Sequence, residues 1–259
     1  MQILITNDDG IDSPGLWALA RAFSTSHTVM VVAPNTNRSG VAHSITTSGA
    51  VTVERRDRDG IVGYSCSGTP ADCVVLGIGE LLAPPPDLVL SGINHGPNLA
   101  DDVNYSGTVA AAIEATLLGV PAIAISLGVD FDDHTTPAYW ETAAHATLRC
   151  AEVATRELKD QNAYWNLNAP NIPLADLLGL TVTRLGRKRI CDRVLGEEDG
   201  GTRRYFRVWE SPLVTTPEDA DTDIATVNAG YASLTPLLLD RTAFTLRESL
   251  KKAIAPIRT

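Results

Sequence analysis

Near its N-terminus the sequence reads ILITNDDG, so two adjacent carboxylates, Asp8 and Asp9, follow an apolar run at once. Neighbouring carboxylates repel, and a cation between them relieves the repulsion. On a regular strand adjacent side chains point to opposite faces, but where a strand ends in a turn both can reach one ion. Hard oxygen donors of this kind suit Mg2+ or Mn2+. A solvated Asx-Gly turn, with Asn7 and Gly10 satisfying the backbone, uses the same residues without any ligand. What lies near the pair in space decides between the two.

Two further stretches carry chemistry. APNTNRSGVAHSIT offers Asn35, Asn37, Arg38, Ser39 and Ser44, and its guanidinium, beside Asn37, suits a phosphate. DLVLSGINHGPNLADDVNYSGTVAAAIEA carries Asn94, Asn98, Asp101 and Asp102 in a loop that closes on Ser106-Gly107-Thr108. A helical pattern starts there, and the open N–H groups and dipole of a helix start favour an anion. Simple N-capping by Ser106 or Thr108 is the plainer account of those residues. His43 and His95 lie in the candidate loops and are candidates for touching substrate or transferring a proton, while His27, His134 and His145 look incidental, and a non-catalytic role is the plainer account of each of the five. In GTPADCV, Thr69 and Pro70 read as a helix start. No Walker A loop, no G-x-G-x-x-G after a strand and no G-x-S-x-G elbow occurs.

The elements that must position these loops alternate between strand and helix. Apolar runs at 3–6, 28–33, 87–90, 122–126 and 165–168 read as buried strands. Helical patterns begin at Ser13-Pro14, with Ser13 as N-cap, and cover 72–82, 108–118 and 138–158. This predicts an α/β fold with a mainly parallel sheet covered on both faces. In such folds ligands bind beyond the carboxyl ends of the strands, where Asp8, Asp9, Asn94 and the loop after Ala33 fall. Residues 1–185 read as the core. Residues 186–259 read as an extension with a protruding hairpin, whose second strand covers 204–209, a return to the core near 235–237, and a helix over 244–254.

Composition narrows the classes. Acidic residues outnumber basic ones by 31 to 21, a net charge of −10, and no run of Lys or Arg occurs, which argues against a nucleic-acid polymer as partner. A small anion remains acceptable where a metal supplies positive charge. Cys66, Cys73, Cys150 and Cys191 form no zinc-like spacing and read as reduced thiols. No signal peptide or transmembrane run is evident, so a cytoplasmic protein without a membrane partner is expected.

Together the quoted stretches, with SGTPADCV and the late TDIATVNAGYASLTPL, resemble the SurE (survival protein E) family of metal-dependent nucleotidases, in the family's order. The resemblance implies a Rossmann-like α/β/α core with a C-terminal extension used to form homodimers or homotetramers. It implies hydrolysis of nucleoside 5′- and 3′-monophosphates, with polyphosphate as a further substrate of some members. It implies one divalent ion per subunit, Mn2+ or Mg2+, held by Asp8, Asp9, Ser39 and Asn94. Ser106, Gly107 and Thr108 would contact phosphate, with Asn98 close by. Ala100 stands where the family pattern has glycine.

Two carboxylates nearly neutralise a divalent cation, and a hydroxyl and an amide complete the set while leaving room for water and phosphate. The expected reaction is attack by a metal-bound water oriented by Asp8 or Asp9. An aspartyl-phosphate route is the competing chemistry, although the D-x-D pattern is absent because Gly10 follows the pair. A receiver-like signalling domain lacks support: the strand from Asp87 ends in Ser91–Asn94 with no Asp, and no lysine follows the strand at 122–126. A nucleotide-binding module without turnover is the third reading.

Overall fold

The computed structural model describes residues 1–129, 135–187, 191–199, 201–210 and 219–254. His134 and the side chain of Cys191 lie outside the described set.

Strand β1 (Gln2–Thr6) lies inside a nine-stranded sheet. Its side chains alternate: Ile3 and Ile5 enter one apolar cluster and Leu4 the other. This is the period-2 pattern of a strand covered on both faces. The first face carries α1 (Pro14–Ser24) and α4 (Trp140–Glu157), whose Leu16, Leu19, Phe23, Ala143 and Ala151 join Ile3 and Ile5. The second carries α2 (Pro70–Leu76) and α3 (Gly107–Leu117), whose Cys73, Val74, Val109 and Ala112 pack with Leu4.

The remaining strands are β2 (Thr28–Pro34), β3 (Val53–Arg55), β4 (Val62–Cys66), β5 (Leu88–His95), β6 (Ala122–Gly128), β7 (Ala163–Pro170), β8 (Leu180–Val182) and, after the hairpin, β11 (Ala232–Leu238). Their order is β3-β4-β2-β1-β5-β6-β7-β11-β8. Pairing is parallel except for β3 with β4 and β11 with β7. The fold is α/β with a mostly parallel mixed sheet. The chain builds outward from β1 through β2 and β4, then returns to the other side of β1 with β5. That reversal opens a crevice past the carboxyl ends of β1 and β5, the usual ligand position in such sheets.

Strands β9 (Cys191–Asp199) and β10 (Thr202–Glu210) form the expected hairpin, with Thr202 opposite Asp199 and Glu210 opposite Cys191. Helix α5 (Asp223–Asn228) precedes β11, and α6 (Phe244–Ala253) ends the described chain with no buried residue. Some local expectations change. Ser13 sits at the N-cap of α1, but its side chain makes no capping hydrogen bond. The helix expected over 72–82 starts at Pro70 under a full Thr69–Asp72 capping box and finishes as a π-helical turn, Gly77–Leu81. Among the described residues no helix is long and apolar enough to cross a membrane.

Candidate active site

The acidic pair sits in a tight turn. Asn7 Nδ2 donates to the Gly10 carbonyl at 3.0 Å, and Gly10 N–H donates to Asn7 Oδ1 at 3.2 Å. The Asx turn is therefore real, and it positions the carboxylates. Arg38 N–H donates to the Asp8 carbonyl at 2.7 Å, drawing the loop after β2 onto the pair. Within that loop Asn37 Oδ1 accepts from Ser39 N–H at 2.7 Å, leaving the Ser39 side chain exposed one residue from the Asp8 contact.

Asn94 arrives from β5. The register against β6 shifts between Ser91 and Asn94, and Gly92 in this bulge has φ +147°, where a Cβ would run into the Ile125 carbonyl. A bulge re-aims the side chains that follow it, and here only glycine fits. His95 N–H then donates to Asp9 Oδ2 at 3.0 Å, which places Asn94 next to the pair. Asn94 Nδ2 donates to the Gly96 carbonyl at 2.8 Å, so nitrogen is committed and oxygen is the end suited to a cation.

The start of α3 closes over Asp8. Thr108 Oγ1 donates to Asp8 Oδ1 at 2.6 Å, and the Thr108 backbone also favours the charged carboxylate. A Cβ on Gly107 would lie 2.8 Å from Asp8 Cβ and 2.9 Å from Oδ2. Glycine is thus required by the approach of helix to carboxylate. Ser106 Oγ accepts from Val109 N–H at 3.0 Å and caps the helix. Asp8 is only 3% exposed. Burial pushes its carboxyl up from 3.8 to about 6, the charge of Asp9 adds to this, and the Thr108 hydroxyl works against it. Burial raises Asp9 as well, with the His95 amide opposing.

Arg38 Nη2 donates to the Ser67 carbonyl at 2.9 Å, while its Nε is buried with no protein partner among the described residues. The Asn98 side chain turns inward: Nδ2 donates to Ser126 Oγ at 2.8 Å. Its backbone is held by β7, with N–H on Asn168 Oδ1 at 2.8 Å and the carbonyl accepting from Asn166 Nδ2 at 2.8 Å and Asn168 Nδ2 at 3.2 Å. Sequence reasoning named neither asparagine of β7. The period-2 pair in WNLN, polar within an otherwise buried strand, was the available signal.

His43 Nε2 lies 2.7 Å from Glu114 Oε2 and ties the β2–β3 loop to α3. The His95 ring stands 5.6 Å from that of Trp140. His145 is exposed on α4. Cys66, Cys73 and Cys150 are free and buried.

The four residues suited to a divalent ion, Asp8, Asp9, Ser39 and Asn94, thus come from three loops meeting at one crevice. A buried carboxylate, Asp8, and a half-buried one, Asp9, with a hydroxyl and an amide oxygen are an all-oxygen donor set that fits Mg2+ or Mn2+. Among the described residues no group of three or more His, Cys, Asp or Glu could hold a metal ion.

Residues 3–192 match the model of the family described as "Survival protein SurE". The chain is 44% identical over 248 residues to the "5'-nucleotidase SurE" of Rubrobacter xylanophilus, covering 93% of both chains. It is 41% identical over 252 residues to the "5'/3'-nucleotidase SurE" of Proteus mirabilis, covering 97% of this chain and 95% of the relative. Its fold superposes on the crystal structure of the SurE protein from Aquifex aeolicus with a TM-score of 0.83 at 37% identity, over 98% of this chain and 99% of the other. The order of these motifs, the crevice they build and the near full-length similarity agree, and the chain belongs to the SurE family.

Proposed function

We propose that this protein hydrolyses nucleoside 5′- and 3′-monophosphates to nucleoside and phosphate, using one Mn2+ or Mg2+ held by Asp8, Asp9, Ser39 and Asn94. The observation that carries the reading is the meeting of the acidic pair, the Arg38–Ser39 loop and Asn94 beneath the start of α3. Relatives at 44% and 41% identity bear nucleotidase names.

When bound, the divalent ion polarises a phosphoryl oxygen and acidifies water. The protein's own residues do the rest. Thr108 holds Asp8 in one orientation. The buried Arg38 Nε, with no protein partner among the described residues, is a donor suited to a phosphoryl oxygen, and Asn37 shapes the turn that carries it. Ser106 and Gly107 stand at the positive end of α3, where a dianion is favoured. Asp8, 3% exposed and overlaid by Gly107, leaves little room for in-line attack on phosphorus, which disfavours Asp8 as the nucleophile.

The decisive assay is phosphate release from a panel of 5′- and 3′-mononucleotides and tripolyphosphate, with Mn2+, with Mg2+ and with chelator. Turnover that depends on the added ion and disappears in Asp8→Asn supports the reading. Turnover that survives that substitution removes it. The C-terminal hairpin and the exposed α6 suit contacts between copies in a homodimer or homotetramer. The buried free thiols suit a reducing, cytoplasmic setting.

A further inference from the structure

Asp223 opens α5, far from the acidic pair in sequence, and is 0% exposed. Its Oδ2 accepts from Ala100 N–H at 2.8 Å across 123 residues. Its Oδ1 accepts from Gly186 N–H at 2.7 Å and from Ile224 N–H at 2.8 Å. A buried carboxylate is costly unless several donors meet it, and here three backbone amides do. Two belong to the C-terminal part of the chain; the third belongs to the loop between β5 and α3.

Ala100 has φ +52°, a left-handed conformation that an alanine resists. The Asp223 bond and the cluster of Leu99 and Ala100 with Ile224 and Val227 hold it there. From Ala100 a single 3-10 turn, Ala100–Asn104, runs to the start of α3. Asp102 N–H donates to the Leu99 carbonyl at 3.1 Å, and Ser106 N–H donates to the Asp102 carbonyl at 3.2 Å. Gly107, the next residue, rests on Asp8. A shift at Ala100 therefore reaches the helix start.

We propose that Asp223 is a positioning residue for the phosphate-binding loop: through the Ala100 amide it fixes where Ser106 and Gly107 stand relative to Asp8. This rests on the phosphohydrolase reading above. An asparagine at 223 keeps the volume but must turn its NH2 toward either Ala100 N–H or the other two amides, so one side of the junction breaks.

The test uses the full chain loaded with Mn2+. In Asp223→Asn, KM for a nucleoside monophosphate and the inhibition constant of inorganic phosphate rise roughly tenfold, as a sub-ångström displacement of a positioning loop does. The Mn2+ concentration for half-activation rises less than KM does, because of the four proposed donors only Asp8 touches this helix start. Thr222→Ala removes the cap of the same helix, where Thr222 Oγ1 accepts from Ala225 N–H at 3.3 Å, without touching Ala100, and keeps the wild-type KM. Wild-type constants in Asp223→Asn, or an equal rise in Thr222→Ala, overturn the proposal. If wild-type protein releases no phosphate, the hydrolase reading fails instead, and calorimetry with inorganic phosphate decides about Asp223 by the same contrast. Should Asp223→Asn not fold, hydrogen exchange on the wild type decides. Protection of the Ala100 amide together with that of Ser106 is expected, and exchange of Ala100 at the rate of an open loop overturns it.

Discussion

Thr108 Oγ1 donates to Asp8 Oδ1 at 2.6 Å, so the first turn of α3 is latched to a carboxylate in the turn after β1. Hydrogen bonds to charged groups contribute about 1.5–3 kcal/mol. Thr108→Val keeps the shape and removes the donor, leaving Asp8 free to turn. Mn2+ affinity, read by titration calorimetry, should fall roughly tenfold or more. An unchanged dissociation constant would mean that the hydroxyl does not hold the ligand.

Gly107→Ala attacks the same contact sterically. The new Cβ would lie 2.8 Å from Asp8 Cβ, closer than carbon atoms tolerate, so helix or carboxylate must give way. Overpacking of this kind costs about 1–3 kcal/mol. The variant should fold with a melting temperature lowered by several degrees, yet lose about a hundredfold in kcat/KM because the misplaced group bears on the reacting centre. Full activity with lowered stability would separate the close approach from catalysis.

The acidic pair was legible in the sequence because an apolar run ended abruptly in side chains that need a partner. The same local logic found Arg38 and the helix start at Ser106. The struts behind the site were not legible. Asn98 is held by Asn168, 70 residues away, and Ala100 by Asp223, 123 residues away, and no local periodicity reports such pairings. Strand β4 escaped notice because VGYSC lacks an apolar alternation, although its buried position beside β2 makes it a sheet element. Edge strands β3 and β8 carry exposed residues throughout, so burial gave them no pattern to read.

The β7 asparagines lead to a stability prediction. Asn168 makes two hydrogen bonds to the Asn98 backbone and is fully buried. Asn168→Ala leaves a buried N–H without its acceptor, a loss of about 1–3 kcal/mol. Urea unfolding should show the midpoint lowered with the slope unchanged. Phosphate release per folded molecule should fall too, since the Asn98 segment leads into the 3-10 turn before Ser106. A midpoint equal to the wild type would show that water replaces the amide at no cost.

Asp8 gives the metal-free protein a pH dependence with an unusual sign. Burial raises its folded-state carboxyl from 3.8 to about 6. Between those values the folded state holds a proton that the unfolded state has released, so stability falls as pH rises through this window and levels off above it. The displacement corresponds to about 3 kcal/mol. Asp72 acts oppositely and lower on the scale: its bonds to Thr46 and Thr69 outweigh burial, hold its carboxyl below the ordinary value, and are lost only in stronger acid. Asp8→Asn mimics the protonated state. In chelator at neutral pH that variant should therefore be the more stable protein, by up to about 3 kcal/mol, with the difference vanishing near pH 4. Saturating Mn2+ should reverse the order, because ligand binding stabilises only the chain that retains the carboxylate. Denaturant titrations of both proteins at several pH values, with and without Mn2+, read this directly. Equal stabilities at neutral pH in chelator would show that the Asp8 charge is not held at a cost, and would remove the electrostatic reason for a cation at this position.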